Sequence, residues 1–128
     1  MFSVEGRRLE TQNLKLKTPP PLVVLVTAPD LDVARRLAAI ALESRLCACA
    51  NLVPGIESHY WWHGKLEKSA EVLVIFKTTR SKVAALQKCV LAAHPYDTAE
   101  FVALPIESGS RRYLDWITAS VRTVLPAP

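Results

Sequence analysis

Apolar and polar positions alternate along the chain with two different periods. Leu22-Val23-Val24-Leu25-Val26-Thr27 is apolar at consecutive positions, as in a strand buried on both faces. Ala28-Pro29-Asp30 closes that strand and opens a helix, since proline suits the first helical turn and an early aspartate suits the positive end of the helix dipole. The helix runs to about Arg45. Val33, Ala34, Leu37, Ala38, Ile40 and Ala41 form its inner stripe, and Asp32, Arg35, Arg36 and Glu43 face outward. Leu46 to Val53 reads as a second strand and Val72 to Thr78 as a third. Thr79-Arg80-Ser81 offers the cap of a second helix, with Val83, Leu86, Val90 and Ala93 at helical spacing. That helix stops before Pro95, because the residue preceding a proline is pushed out of the α region. Thr98 to Leu104 reads as a fourth strand ended by Pro105. A cap at Ser108 or Ser110 starts a last helix, with Tyr113, Leu114, Ile117 and Val121 inward.

Between the second and third strands lies the most unusual stretch, Asn51 to Lys65. It holds Trp61, Trp62, His59, His63 and a Pro54-Gly55 break. It predicts one long hairpin turning near His63-Gly64-Lys65, with Gly64 supplying a positive φ. Pro54 donates no N–H and Gly55 tolerates a bulge, so the first arm bends there. The order is then α+β, a ferredoxin-like β-α-β-β-α-β with an extra C-terminal helix on a four-stranded antiparallel sheet. Two helices cover one face of such a sheet. The other face should meet water and be polar, yet Leu22 to Val26 and Val72 to Phe76 are apolar at both parities. An uncovered apolar face of that size marks an interface, so the pattern predicts an obligate oligomer.

Composition adds limits. A chain of 128 residues with 50% hydrophobic and 22% charged residues makes one globular domain, here 22–125, after a flexible or extended leader over 1–21 and before a short tail at 126–128. No apolar run approaches the roughly 20 residues of a membrane span. The N-terminus shows no apolar core of a secretory signal. The net charge of +4 hints at nucleic acid, but Arg7, Arg8, Lys15 and Lys17 against Glu5 and Glu10 place half of the excess in the leader. No basic stripe with interleaved aromatics occurs, which argues against a nucleic-acid groove. Three cysteines and no signal fit a reducing cytosol better than a disulfide framework.

Candidate chemistry is sparse. Cys47 and Cys49, two apart on an expected strand, would point to one face and could offer two thiolates to a soft metal. His59 and His63 are four apart, which on a strand is roughly 13 Å, too far to share one ion within a chain. His94, at a helix end, is a candidate metal ligand or a partner of the helix C-terminal dipole. Tyr60, Trp62, Lys65, Tyr96, Asp97 and Glu100 could line a small polar pocket at a subunit boundary, or serve as interface anchors. No phosphate loop, nucleophile elbow or Cys–His spacing supports an enzyme.

Seven motifs then occur in order: Val26 to Asp30, Cys49 to Gly55, Ser58 to Lys65, Phe76-Lys77-Thr78, His94-Pro95-Tyr96-Asp97, Ala103 to Ile106, and Tyr113 to Trp116. In these the chain resembles the CutA family of divalent-cation tolerance proteins over about residues 22–122. The resemblance implies a ferredoxin-like fold, a tight homotrimer similar to the PII signal-transduction proteins and a cytoplasmic location; with no catalytic motif to support an enzyme, the chain reads as non-enzymatic. It also implies a role in the response to metal ions, with copper or another divalent cation as a ligand rather than a required cofactor. The ligands proposed for copper in the family are a cysteine ending the first strand and a His-His pair before Pro-Tyr. Those positions here are Val26, Ala93 and His94, so only His94 matches, and Cys49 is a second, weaker candidate. Asp97 stands where the family usually carries glutamate. The alternative reading is a PII-like sensor or scaffold whose inter-subunit clefts hold a small anion or a partner's loop.

Overall fold

A computed structural model describes residues 20–122. The expected leader and tail lie outside the described residues, apart from their innermost positions. Four strands and three helices follow in the order β1 (Leu22–Ala28), α1 (Leu31–Glu43), β2 (Cys49–Trp62), β3 (Lys65–Thr78), α2 (Val83–Ala93), β4 (Val102–Pro105) and α3 (Arg111–Ser120). The sheet is antiparallel throughout, in the order β2-β3-β1-β4. This is the ferredoxin-like arrangement with an added C-terminal helix.

Helix ends are set by local chemistry. The Asp30 carboxylate accepts from the Val33 N–H at 2.8 Å and starts α1. Ser110, not Ser108, caps α3 by accepting from the Tyr113 N–H. No side-chain cap starts α2. A single 3₁₀ turn, Arg80–Lys82, leads into it from Thr79 instead. The α1 helix stops at Glu43 because Arg45 takes a left-handed φ of 57°. There the Arg45 and Leu46 N–H groups return to the Leu42 and Ala41 carbonyls. Leu46 and Cys47 are therefore turn residues, and β2 begins at Cys49 rather than at Leu46.

The hairpin turns through two residues, His63 and Gly64, both at positive φ (51° and 76°), with Trp62 paired to Lys65. This is the twist-matched turn of tight hairpins, and here histidine shares the left-handed conformation with glycine. Both arms are 14 residues long. The register slips by one residue between Val53 and Ile56, with Gly55 at φ 78°. The Pro54-Gly55 bulge is thus where the sequence predicts it. Its consequence is a change of parity. Before the bulge Cys49, Asn51 and Val53 lie on one face, opposite Lys77, Ile75 and Leu73. After it Ile56 and Ser58 lie on that face, opposite Glu71 and Ser69, and Tyr60 and Trp62 continue the row.

The two faces of the sheet differ sharply. One face packs Val24, Val26, Val72, Val74 and Phe76 against Ala34, Leu37 and Ala41 of α1 and Leu86 and Val90 of α2. The only hydroxyl buried among these strands, that of Thr78, donates to the Leu46 carbonyl at 2.7 Å. Arg36 of α1 donates to the Ala93 carbonyl and closes the C-terminal end of α2. The alternation along β1 is strict: every second residue is buried and the ones between are only half-buried. Those between are Val23, Leu25 and Thr27, with Leu73 and Ile75 beside them on β3 and Leu104 and Val102 on β4. At one end of this second face the Tyr113 hydroxyl of α3 lies 3.7 Å from the Cys49 sulfur, and its ring lies 5.9 Å from Lys77 Nζ. The rest is uncovered by the described residues of the chain.

β4 is shorter than the sequence indicates. It pairs with Leu22–Leu25 only, and Thr98 to Phe101 form a loop. Phe101 still packs against the core, which accounts for its apolar character without a ladder. Pro105 ends the strand as the sequence indicates, as the last residue of the ladder opposite Leu22, and β4 is an edge strand, where a proline is tolerated. No helix among the described residues is long and apolar enough to cross a membrane.

Candidate ligand cleft

His94 organises the segment that leaves α2. Its backbone turns to extended geometry ahead of Pro95, and its ring goes inward, 8% exposed. Nε2–H donates to the Thr27 carbonyl of β1 at 2.8 Å, and Nδ1 accepts from the Tyr96 N–H at 3.1 Å. The two partners fix the neutral tautomer with its proton on Nε2. The Tyr96 ring then lies 4.8 Å from that imidazole, and its hydroxyl donates to Glu71 Oε2 at 2.7 Å. One histidine thereby ties the loop after α2 to β1, and through Tyr96 to β3.

Between this loop and the hairpin lies a cleft of about 720 Å³. Its polar walls are Thr27, Ser58, Ser69 and Thr98, with Pro95; its aromatic walls are Tyr60, Trp62 and Tyr96; and its ionisable groups are His59 and the carboxylates Glu71, Asp97 and Glu100. The Tyr60 hydroxyl is 3.3 Å from the Ser69 hydroxyl, across the hairpin. The Pro54-Gly55 bulge puts Tyr60 and Trp62 in the row of Ile56 and Ser58. The cleft opens on the same sheet face as Leu25, Leu73 and Ile75, at the point where apolar residues give way to Thr27 and Glu71.

The lining holds three carboxylates and one imidazole, that of His59. No lysine or arginine lines the cleft among the described residues. Glu71 is 7% exposed and accepts from the Tyr96 hydroxyl, and no buried side-chain nitrogen or oxygen of the described residues lacks a partner. Burial first, and then the Glu71 carboxylate, push the Glu100 carboxyl above its ordinary range. Burial and the bond to Glu71 raise the Tyr96 phenol, which keeps its proton.

Of the residues singled out in the sequence, Tyr60, Trp62, Tyr96, Asp97 and Glu100 come together in this lining. Lys65 is not among the lining residues. It sits exposed at the hairpin turn, paired with Trp62. Glu71 was missed. Its signal was an ionisable residue abutting the apolar run Val72 to Phe76, at the parity of Leu73 and Ile75.

The metal candidates do not assemble within one chain. Both ring nitrogens of His94 are already committed. Cys47 is buried in the core ahead of β2, so the period-2 expectation that it shares a face with Cys49 does not apply. Burial, and then the neighbouring cysteines, push its thiol up to about 12, which holds it as a neutral thiol. Cys49 faces Asn51 and Tyr113. His59 contacts Glu57 at 2.6 Å and is exposed, and His63 belongs to the turn. Among the described residues no three of His, Cys, Asp or Glu stand close enough to hold a metal ion.

Fold and cleft define an α+β protein of the ferredoxin-like class with a long bulged hairpin. The family model described as "CutA1 divalent ion tolerance protein" matches residues 22–120. The chain is 48% identical over 105 residues to Protein CutA 1, chloroplastic, of Oryza sativa subsp. japonica. That match covers 82% of this chain and 59% of the rice protein. It is 46% identical over 114 residues to the divalent-cation tolerance protein CutA of Citrobacter koseri, covering 89% of this chain and 99% of that one. Among solved structures, the crystal structure of CutA1 from rice superposes with a TM-score of 0.79 at 47% identity, over 84% of this chain and 98% of that chain. The periplasmic divalent cation tolerance protein CutA of Archaeoglobus fulgidus gives 0.77 at 41%, over 80% and 99%. The chain therefore belongs to the CutA1 divalent ion tolerance protein family. The family description names a tolerance and no reaction. Relatives named chloroplastic and periplasmic mean that membership does not fix the expected cytoplasmic location.

The Glu100 shift gives a testable sign. A raised folded-state value means that the unfolded chain ionises first as pH rises. Stability falls from near 4.5, the ordinary value, until the folded carboxyl also ionises, and the loss persists above. Glu100→Gln should therefore unfold at a higher temperature than the parent at neutral pH, with no advantage at about pH 3.5, where both forms of the group are neutral. Thermal unfolding across this range checks it; an advantage that grows on acidification contradicts the assignment.

Proposed function

We propose that this protein acts as a non-enzymatic homotrimer of the divalent-cation tolerance type, with the cleft as its ligand site at the subunit boundary. The observation that carries the reading is the uncovered sheet face. Val23, Leu25, Leu73 and Ile75 are half-buried in the single chain, and Val53, Val102 and Leu104 are 41%, 44% and 46% exposed. Burying each such side chain contributes about 1.5–3 kcal/mol, so copies of this chain that cover the face on one another gain much of a second core. The face continues into the cleft, so a neighbour seated on it would border Thr27, Tyr60 and Glu71. The number three comes from the resemblance to the trimeric CutA and PII proteins and not from the face itself. Ile75→Asp, in the middle of the face, should convert a particle three times the chain mass into single chains or insoluble material. Sedimentation equilibrium reads this; an unchanged trimer of undiminished stability contradicts it.

Copper or another divalent cation enters this reading as a ligand of the assembly, held by residues of more than one subunit. A CutA-like copper site centred on His94 would have to give up the bond to Thr27 or the bond from Tyr96. The geometry favours His94 as a brace for the cleft. Calorimetric titration with Cu(II) should give the same affinity for the parent and for His94→Ala, while His94→Ala loses about 1–3 kcal/mol of stability through its vacated partners. Loss of copper affinity in His94→Ala at unchanged stability would restore the ligand role.

A further inference from the structure

We propose that the bond between His94 and the Tyr96 backbone is an acid-released latch: a proton on His94 Nδ1 frees the loop 95–100 from the sheet and opens the cleft from that side. The inference concerns the loop itself and holds whatever the cleft binds. Its ground is the use made of the two ring nitrogens. Nε2–H donates to the Thr27 carbonyl of β1 at 2.8 Å, so Nδ1 is the nitrogen left to take a proton. Nδ1 is also the acceptor for the Tyr96 N–H, at 3.1 Å. An added proton turns that acceptor into a donor facing a donor. The bond from Tyr96 is then lost, while the bond to Thr27 survives and is strengthened by the charge. The ring stays on β1, and the loop is the part that leaves.

Little else holds this loop. Residues 94–101 belong to no helix or strand. Among the described residues, the segment 95–100 makes hydrogen bonds only through Tyr96, whose N–H goes to His94 and whose hydroxyl goes to Glu71. Beyond it, Phe101 is fixed by packing on the core. The loop is therefore pinned at both ends and tied in the middle by one residue. Charged groups surround the ring on every packed element. Glu71 lies on β3, Asp97 and Glu100 on the loop, and Asp30 ahead of α1 acts on the Tyr96 phenol. Arg36 of α1 donates to the Ala93 carbonyl. No carboxylate of the described residues pairs with either ring nitrogen, so none offers Nδ1–H a partner in the closed arrangement. His59, the other imidazole of the lining, is exposed beside Glu57 and touches neither bond of Tyr96.

The test is amide hydrogen–deuterium exchange of the full-length protein between about pH 8 and about pH 5, the range in which an imidazole ordinarily changes charge, corrected for the intrinsic exchange rate. Protection of the Tyr96 amide should fall by about tenfold or more on acidification, while β1 and β3 keep theirs. His94→Asn retains an acceptor for the Tyr96 N–H and has no proton to gain, so its protection should not vary with pH. His59→Gln and Glu100→Gln remove the other titrating groups nearest the loop and should leave the response intact. Nitrogen-15 spectra of the parent imidazole supply a readout that needs no variant: Nδ1 should take its proton over the same interval in which the Tyr96 amide opens. A Tyr96 amide that stays protected while Nδ1 is protonated overturns the proposal, as does an Nδ1 still unprotonated at about pH 5. So does a pH response that persists in His94→Asn or vanishes in His59→Gln or Glu100→Gln. The readout is the loop alone, so failure here leaves the reading of the assembly to its own sedimentation test.

Discussion

Three helices cannot cover a sheet that is apolar on both sides. β1 and β3, the two central strands, carry branched aliphatic residues at even and odd positions alike. The even positions meet α1 and α2 and make the core. The odd positions meet little beyond the approach of α3 near Cys49 and Lys77. In water a central strand with such a second face is unfinished, and its backbone ladder alone does not make up the difference. On the proposed reading, the closure of the fold and the association of copies are one process, driven by the same kind of burial on opposite sides of the same two strands.

The cleft follows from where that face ends. Along β3 the odd positions pass from Ile75 and Leu73 to Glu71 and Ser69, and on β1 from Leu25 to Thr27. The switch from aliphatic to polar side chains marks the margin of the apolar surface. The bulge at Pro54-Gly55 turns β2 by one residue just there and carries Tyr60 and Trp62 to the polar side. His94 supplies the other wall by bonding to Thr27 and Tyr96 at once. A backbone irregularity and one histidine thus place aromatic rings and carboxylates at the rim of an otherwise apolar face.

Much of this was legible in the residues, and the failures have physical causes. The runs Leu22 to Val26 and Val72 to Phe76 declared both strands and the spare face, because consecutive apolar residues in a strand must point both ways. Pro54 and Gly55 declared the bulge through the missing donor and the positive φ. The start of β2 was misplaced because Leu46 and Cys47 are apolar for a different reason: a left-handed turn at Arg45 folds Cys47 into the core. Thr98 to Phe101 looked like strand because Phe101 is buried, yet its anchor is a side chain and not a ladder. Lys65 matches a motif position, and the two-residue turn places it at the tip of the hairpin, outside the lining that a single chain provides. Glu71 stayed hidden because a charged residue in a strand normally faces water, and only the tertiary approach of Tyr96 buries it.

The most direct measurement is urea unfolding followed by far-ultraviolet circular dichroism over a hundredfold range of protein concentration. If the sheet is completed only by other copies of the chain, folding and assembly are linked, and the midpoint must rise steadily with concentration. A midpoint that stays fixed across that range would mean that the single chain is stable with its second face in water, and the account would be wrong at its root.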